Sequence, residues 1–547
     1  MNYSSIVFIL LCIQIIEVLG IDDPVLSDFV DPKEQYALRD QLAQNVELEY
    51  KNEEYIAHNP AADTPVMPDN NQSTISKLNE KYLDHLFQGD IRITAGLLRE
   101  IVRESATRKA RTAYRDWSYP STIWRGHAPY AFHPNIRPKT KNAIITAMRY
   151  WQSQTCVKFR PRRNEKVYLY YIDYDAGCWS TVGRDPPQGK QLLSIGRGCE
   201  PFGVTSHEIG HALGLFHEQS RYDRDSSITL VPKQIPRSLF HNFAKTPRSQ
   251  MNTYNEPYDI GSVMHYRPDE FTVTGGPSLI AKNPREQAAM GQMAGPSFLD
   301  VQKINSHYSC GRACKNKIRC FNGGYQDPKK CGVCRCPPAF GGPRCQQVQQ
   351  SNPPNCRGVL NAKPSFRRLR INVKPRNTKQ ARQCNYHIRA PAGKKIEIYV
   401  EGAIGKCIQG CYHDSVEIKA QADKRVTGYR FCCGLNKPQR FVSDNNLVPI
   451  ISRAGRGQAF VQLIYRYVNP HRSHHDPEDT SHKEAMDGEE ITVEDEFSTI
   501  SPEVQKAMVS NSTELEESHK LAFERRPDDN TIFDEYYYGT DLEEMEE

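Results

Sequence analysis

The chain has 547 residues, more than one hydrophobic core holds, and its length fits about three to five modules. Its net charge of +6 hides an asymmetry: residues 471–547 carry 24 acidic and 6 basic side chains, a net of −18, which leaves residues 1–470 at +24. No apolar run of about twenty residues follows the first segment, so no later membrane-spanning helix is expected, and the basic body is suited to acidic polymers.

Residues 1–20 are mostly apolar (IVFILLCIQII) and end on Gly20, the pattern of a secretory signal. Of 17 cysteines, Cys12 lies in that leader; the other 16 fall into groups of four, six and six. Even groups suit local disulfides in an oxidising compartment, so a secreted, extracellular protein is expected, without nucleic acid among its partners. Residues 21–111 are polar, lack cysteine, contain a helical patch at Glu34 to Tyr50 and a glycosylation sequon at Asn71, and read as a pro-segment. The cluster Arg108-Lys109-Ala110-Arg111 matches a secretory convertase site, so processing is expected after Arg111, with a mature start at Thr112.

Residues 112–310 are expected to be α+β. A twisted sheet and a helix near Thr140 to Gln154 precede an aromatic, β-branched strand at Lys166 to Asp173. Cys178 to Gly183 is expected at the sheet edge, where an extended substrate adds antiparallel. Next comes TSHEIGHALGLFHEQSRYDRD at 205–225. His207 and His211 are four apart and share one helix face. Gly214 accepts positive φ, which lets the chain turn back and deliver His217 as a third zinc ligand. Three ligands leave one position for water, and Glu208 lies beside it as a general base; the chemistry is peptide hydrolysis.

H-E-x-x-H-x-x-G-x-x-H is the metzincin zinc-protease signature. With Ser262-Val263-Met264-His265-Tyr266, which resembles a Met-turn, and with GCWSTVGR and QLLSIGRGC, the block resembles the astacin family. The resemblance implies that Met264 lies beneath the metal. It implies that Tyr266 is a further zinc ligand that swings away to stabilise the oxyanion, and that Glu218 holds the mature N-terminus. It also implies disulfides Cys156–Cys310 and Cys178–Cys199. Phe87-Gln88-Gly89-Asp90 resembles the propeptide motif whose Asp, here Asp90, occupies the open zinc position.

Residues 311–346 resemble an EGF-like module, with Cys336 expected to pair with Cys345 and the other two pairings open. Residues 356–468, with Cys356…Cys384, CYHDSVEI and GQAFVQLIYRY, resemble an all-β CUB sandwich, with Cys356–Cys384 as the implied bridge. Residues 357–395 contain no Asp or Glu, which argues against calcium. Arg367, Arg368, Arg370, Lys374, Arg376, Lys379 and Arg382 suit either a sulfated glycan or matrix contact or a solvated strand face. Residues 469–547 are expected to be an acidic disordered tail with a second sequon at Asn511; Asp534 to Tyr538 suits tyrosine sulfation or a plain tail.

The resulting expectation is a secreted, zymogen-activated zinc endopeptidase of matrix proteins, collagen or procollagen in nematode cuticle formation or moulting. A hatching or digestive enzyme is the related alternative. A matrix-binding scaffold acting through the CUB module is the non-enzymatic one.

Overall fold

The computed structural model describes residues 32–51, 74–107, 121–470 except 175–176, 186–188, 274, 376–380 and 456, and 491–494. The expected signal, Asn71, the Arg108–Arg111 cluster, Thr112, Asn511, Asp534 to Tyr538 and most of the acidic tail lie outside these residues. Among the described residues, no helix is long and apolar enough to cross a membrane.

Three helical pieces precede the main body: α1 (Pro32–Lys51), α2 (Ile75–Leu78) and α3 (Ala95–Thr107). Leu42, Ala43 and Val46 of α1 and Leu98, Ile101 and Val102 of α3 are buried in one cluster with Phe240 and Phe243. The guanidinium of Arg39 donates to the carbonyls of Leu83, Asp84 and Leu86. That anchors the turn leading to Asp90 onto α1.

The main body opens with β1 (Ala128–Phe132), α4 (Pro138–Gln154), β2 (Phe159–Pro161), β3 (Tyr168–Ile172), β4 (Cys178–Ser180), β5 (Lys190–Ile195) and α5 (Phe202–Ala212). The sheet order is β2-β1-β3-β5-β4; only β4, at the edge, runs antiparallel to its neighbour. The helices α4 and α5 pack beside this sheet, with the Trp151 indole donating to the Ser206 carbonyl at 3.0 Å. Pro138 at the start of α4 fits a position that needs no N–H partner.

Beyond α5 the chain is mostly short turns around the antiparallel pair β6 (Ile228–Leu230) and β7 (Leu279–Ala281), closing on α6 (Phe298–His307). Ser297 and Asp300 form a reciprocal cap at the start of α6. The Cys156–Cys310 bridge ties the end of α4 to this C-terminal end, and Cys178–Cys199 ties β4 to the loop before α5.

Three bridges hold the next segment: Cys314–Cys331, Cys320–Cys334 and Cys336–Cys345. It contains two small hairpins, β8 (Tyr325–Gln326) with β9 (Cys334–Arg335) and β10 (Phe340–Gly341) with β11 (Gln347–Val348). The last module stacks two sheets. One runs β12 (Arg357–Asn361), β14 (Arg382–Arg389), β19 (Leu447–Ala454), β16 (Ser415–Ile418) and β17 (Tyr429–Phe431) in spatial order. The other runs β18 (Gln439–Val442), β15 (Lys395–Ile404), β20 (Ala459–Val468), β13 (Arg367–Val373) and β21 (Ile491–Glu494). Alternating side chains such as Leu369, Ile371, Ile398, Val416, Ile450 and Val461 fill the space between them. Cys356–Cys384, Cys407–Cys433 and Cys411–Cys432 bridge this module.

The strand Ile491–Glu494 corrects the expectation of disorder across 469–547: it pairs in parallel with Leu369–Asn372 of β13. Ile491, Thr492 and Val493 are β-branched and suit a strand, a local preference that the segment's average acidity conceals. The basic residues Arg367, Arg368 and Arg370 therefore lie on an inner strand. There Arg368 faces Glu401 at 3.5 Å and Arg370 donates to Gln462 at 2.8 Å. Arg376 and Lys379 lie outside the described residues. Asp414 accepts the N–H groups of Gly455 at 2.6 Å and Gly457 at 3.0 Å.

Candidate active site

His207 and His211 project from one face of α5, and Gly214, with φ of 109°, turns the chain so that His217 joins them. Ring centroids of the three imidazoles lie 4.6 to 5.3 Å apart. Each Nδ1 donates to an oxygen: His207 to the Val263 carbonyl at 2.8 Å, His211 to the Leu215 carbonyl at 2.7 Å, His217 to the Gln88 side chain at 3.0 Å. Those bonds fix the tautomers and leave every Nε2 lone pair aimed inward.

The carboxylate of Asp90 sits among them, with Oδ2 at 3.2 Å from His207 Nε2 and 3.1 Å from His217 Nε2, and Oδ1 at 3.6 Å from His211 Nε2. All four residues are buried, and their ligating atoms lie within 4.8 Å of one another. Burial opposes the Asp90 charge, but His217 and the contacts with the other imidazoles outweigh it and hold that carboxyl well below its usual range. The Nε2 of His211 and both oxygens of Glu208 are buried with no hydrogen-bond partner among the described residues. Polar atoms so placed are costly unless a ligand or ion completes them. Three imidazoles and one carboxylate converging on a single point are a donor set that fits tetrahedral zinc. Burial first, and the Asp90 charge second, push the Glu208 carboxyl well above its ordinary range.

The floor of the site is the turn Ser262 to Tyr266. Asp300 holds it by accepting from Ser262 Oγ at 2.6 Å and from Val263 N–H at 3.0 Å. Met264 is buried against the helix at Gly210, where a Cβ would stand 3.2 Å from its sulfur; any larger residue there would press on the turn. The ring of Tyr266 lies 4.8 Å from that of His217, and its hydroxyl donates to the Gln88 carbonyl at 2.5 Å. Glu218 accepts from Arg221 at 3.0 Å and the Asp259 N–H at 3.1 Å and forms an ion pair with Lys303. Burial works to raise its pKa, but Lys303 and Arg221 prevail and bring it to about 2.

Residues preceding the main body fill the cleft. The Ser180 N–H donates to the Asp90 carbonyl at 3.0 Å and the Arg92 N–H donates to the Ser180 carbonyl at 2.8 Å, so this segment lies parallel to the β4 edge. Asn79 braces it by donating to the carbonyls of Gly89 at 2.8 Å and Cys178 at 2.6 Å.

Residues 116–309 match the family model of the astacin peptidases, and residues 356–457 match that of the CUB domain. Zinc metalloproteinase nas-23 of Caenorhabditis elegans is 50% identical over 450 residues, 82% of this chain and 83% of that protein. The chain belongs to the astacin family. A second C. elegans astacin, zinc metalloproteinase nas-29, is 42% identical over 81% of this chain and 87% of its own length. The solved high choriolytic enzyme 1 of medaka, a hatching enzyme zinc-protease, is 35% identical and covers 36% of this chain and 99% of its own, with a TM-score of 0.33.

This astacin is therefore a zinc metallopeptidase whose substrate is protein. The residues placed to hold the metal are adjacent or patterned in sequence; their supports are not. Sequence reasoning passed over Gln88, the partner of His217, although it is the variable position of Phe87-Gln88-Gly89-Asp90. It also passed over Asp300, whose only sequence signal is a helix cap.

Proposed function

We propose that this astacin is a secreted zymogen whose zinc endopeptidase activity is released by removal of residues 21–111 and directed at extracellular matrix proteins, collagen or procollagen of a nematode cuticle foremost. The modules are a signal at 1–20, the pro-segment, a protease at 112–310, an EGF-like module at 311–346, a CUB module at 356–468 and an acidic tail at 469–547. The observation that carries the reading is the Asp90 carboxylate set among the three imidazoles while its own backbone uses the β4 edge. A pro-segment so placed denies substrate both the metal and the strand.

His207, His211 and His217 hold zinc in this reading, with Asp90 as the fourth ligand of the latent form. Zinc supplies Lewis-acid polarisation of the scissile carbonyl and acidifies water at the open position. Once Asp90 leaves, Glu208, which has no competing hydrogen bond among the described residues, takes a proton from the attacking water and hands it to the departing amine. The hydroxyl of Tyr266, now donating to a bound backbone carbonyl, donates to the oxyanion instead. The freed Ser180 N–H and C=O orient an extended substrate along β4. Met264 supports the site from below, and Glu218 receives the new α-amine of Thr112 in this reading.

The CUB module locates the enzyme on its substrate, and the basic β13 region is its candidate contact for sulfated glycan. Convertase cleavage after Arg111, glycosylation at Asn71 and Asn511, and an extracellular site of action belong to the same reading. It is tested with the secreted full chain. Convertase treatment should convert it to a form with Thr112 at its N-terminus that cleaves unstructured protein and is silenced by a chelator. Glu208→Gln should retain zinc and lose turnover. Full turnover by Glu208→Gln would refute the assignment of the base.

A further inference from the structure

A cavity of about 280 Å³ adjoins the three-histidine site, and its wall comes from two modules. His207, Tyr266, Phe202 and Met293 line it from the protease side, and Tyr412 and His413 line it from the CUB side. None of its lining belongs to β4, so it extends away from the strand edge.

The CUB loop is fastened there. Cys407–Cys433 and Cys411–Cys432 tie both ends of the turn to the residues just after β17. The side chain of Gln409 donates to the Met290 carbonyl at 2.7 Å. Gly410 passes so close to Gln292 that a Cβ would lie 2.4 Å from its Cα. Ile408 and Tyr412 are buried in one apolar cluster with Ala294, against which Met293 packs. Around the loop, Arg425 pairs with Glu256, and Asn283 donates to the Tyr429 hydroxyl at 3.0 Å.

Ile75 and Leu78 of the segment ahead of the main body also line this space, beside Thr74, Ser76 and Gln88 of the same segment. Ile75 is packed in the core cluster that includes Phe202 and Val204, and Leu78 presses on Gly198, where a Cβ would stand 2.9 Å from its Cδ2. At the Phe202 and Met293 end of the cavity the segment presents aliphatic side chains, which is the chemistry that part of the surface accepts. The nearby guanidinium of Arg267 is engaged by Asp269 through two bonds of 2.9 Å, so its charge is already answered within the protein. Apolar area uncovered when Ile75 and Leu78 depart favours an apolar replacement.

We propose that the CUB loop Ile408 to His413 forms a wall of the substrate cleft, and that Tyr412 and His413 are specificity-determining residues selecting a large apolar side chain next to the scissile bond. The proposal rests on the peptidase reading above. In this enzyme the CUB module completes the cleft as well as locating it.

The test uses the convertase-treated full chain on a library of peptides from a digested proteome, with cleavage sites read by mass spectrometry. Wild type should favour Leu, Ile, Met or Phe over Ala and Asp by about fivefold or more at one position within three residues of the cut, the scale of a well-filled apolar pocket. In Tyr412→Ala and in His413→Ala that ratio should fall below about twofold, while Tyr412→Phe should retain it. Half-buried His413 tolerates truncation more easily than Tyr412, so its variant decides the matter if Tyr412→Ala is not secreted. An unchanged ratio in His413→Ala, or an acidic preference in wild type, would overturn the proposal. Absence of any cleavage by treated wild type, with Glu208→Gln indistinguishable from it, would instead overturn the peptidase reading.

Discussion

Tyr266 donates its hydroxyl proton to the backbone carbonyl of Gln88, 2.5 Å away, while its ring rests on His217. Burial, then the charge of Asp90, pushes the phenol well above its ordinary pKa, so it remains a donor. A phenol that already binds one carbonyl in the cleft is placed to bind another. In the processed enzyme Tyr266→Phe should lower kcat by about 100-fold with little change in KM, the usual loss for one oxyanion donor. Steady-state kinetics beside metal analysis checks this; a kcat within about twofold of wild type, with zinc intact, would remove Tyr266 from the mechanism.

Latency should depend on Asp90. Asp90 Oδ2 lies 3.2 Å from His207 Nε2 and 3.1 Å from His217 Nε2, a position in which an ionised carboxylate is a far better zinc ligand than a neutral amide. Asp90→Asn preserves shape and removes charge. The uncleaved Asp90→Asn chain, protected from processing by Arg111→Ala, should show about 10- to 100-fold more turnover than the same chain with Asp90. Equal latency of the two chains would count against the carboxylate as the blocking group.

What the sequence disclosed, and what it withheld, follows the range of the interactions. His207, Glu208, His211 and His217 lie within one helix and one turn, so spacing alone brings them together. Met264 and Asp90 were legible through short motifs. The partner of Glu218 was not, because Lys303 is 85 residues away and meets it only through packing of α6. Tyr412 and His413 were invisible as cleft residues for the same reason: their position depends on how one module seats against another. The strand Ile491–Glu494 was missed because four residues were judged by the composition of a long acidic segment.

Glu270 should make the latent form pH-sensitive. It is buried and receives a hydrogen bond from Ser76; burial chiefly, aided by Asp269 and opposed by the Ser76 bond and Arg267, raises it to about 7. A carboxyl raised on folding contributes stability that is complete below its unfolded value near 4.5 and lost as pH rises through about 7. The loss across this window is on the order of 3 kcal/mol. Glu270→Gln, neutral throughout, should flatten the decline. Thermal unfolding of the uncleaved chain between pH 4.5 and 7.5 reads the difference; parallel curves for the two proteins would contradict it.

The ion pair of Glu218 with Lys303 should be a larger determinant of stability than any surface pair. Both side chains are buried, Arg221 supplies a second cation at 3.0 Å, and the Glu218 carboxyl is brought to about 2. A carboxyl lowered on folding contributes stability above its unfolded value, lost as pH falls from near 4.5 towards 2. Lys303→Met leaves that carboxylate with Arg221 and the Asp259 N–H, both on one oxygen, and breaking a buried pair on one side costs about 3–5 kcal/mol. The double variant Glu218→Gln with Lys303→Met leaves no buried carboxylate oxygen without its cation, and Arg221 keeps its pair with Asp223, so it should recover part of the loss. Melting of the protease module in the wild type and in the two variants distinguishes the cases. Equal destabilisation by the single and double changes would mean that Lys303 acts through packing. The processed form adds a second comparison: if the α-amine of Thr112 reaches Glu218, cleavage should partly rescue Lys303→Met, whose free carboxylate oxygen then has a new cation.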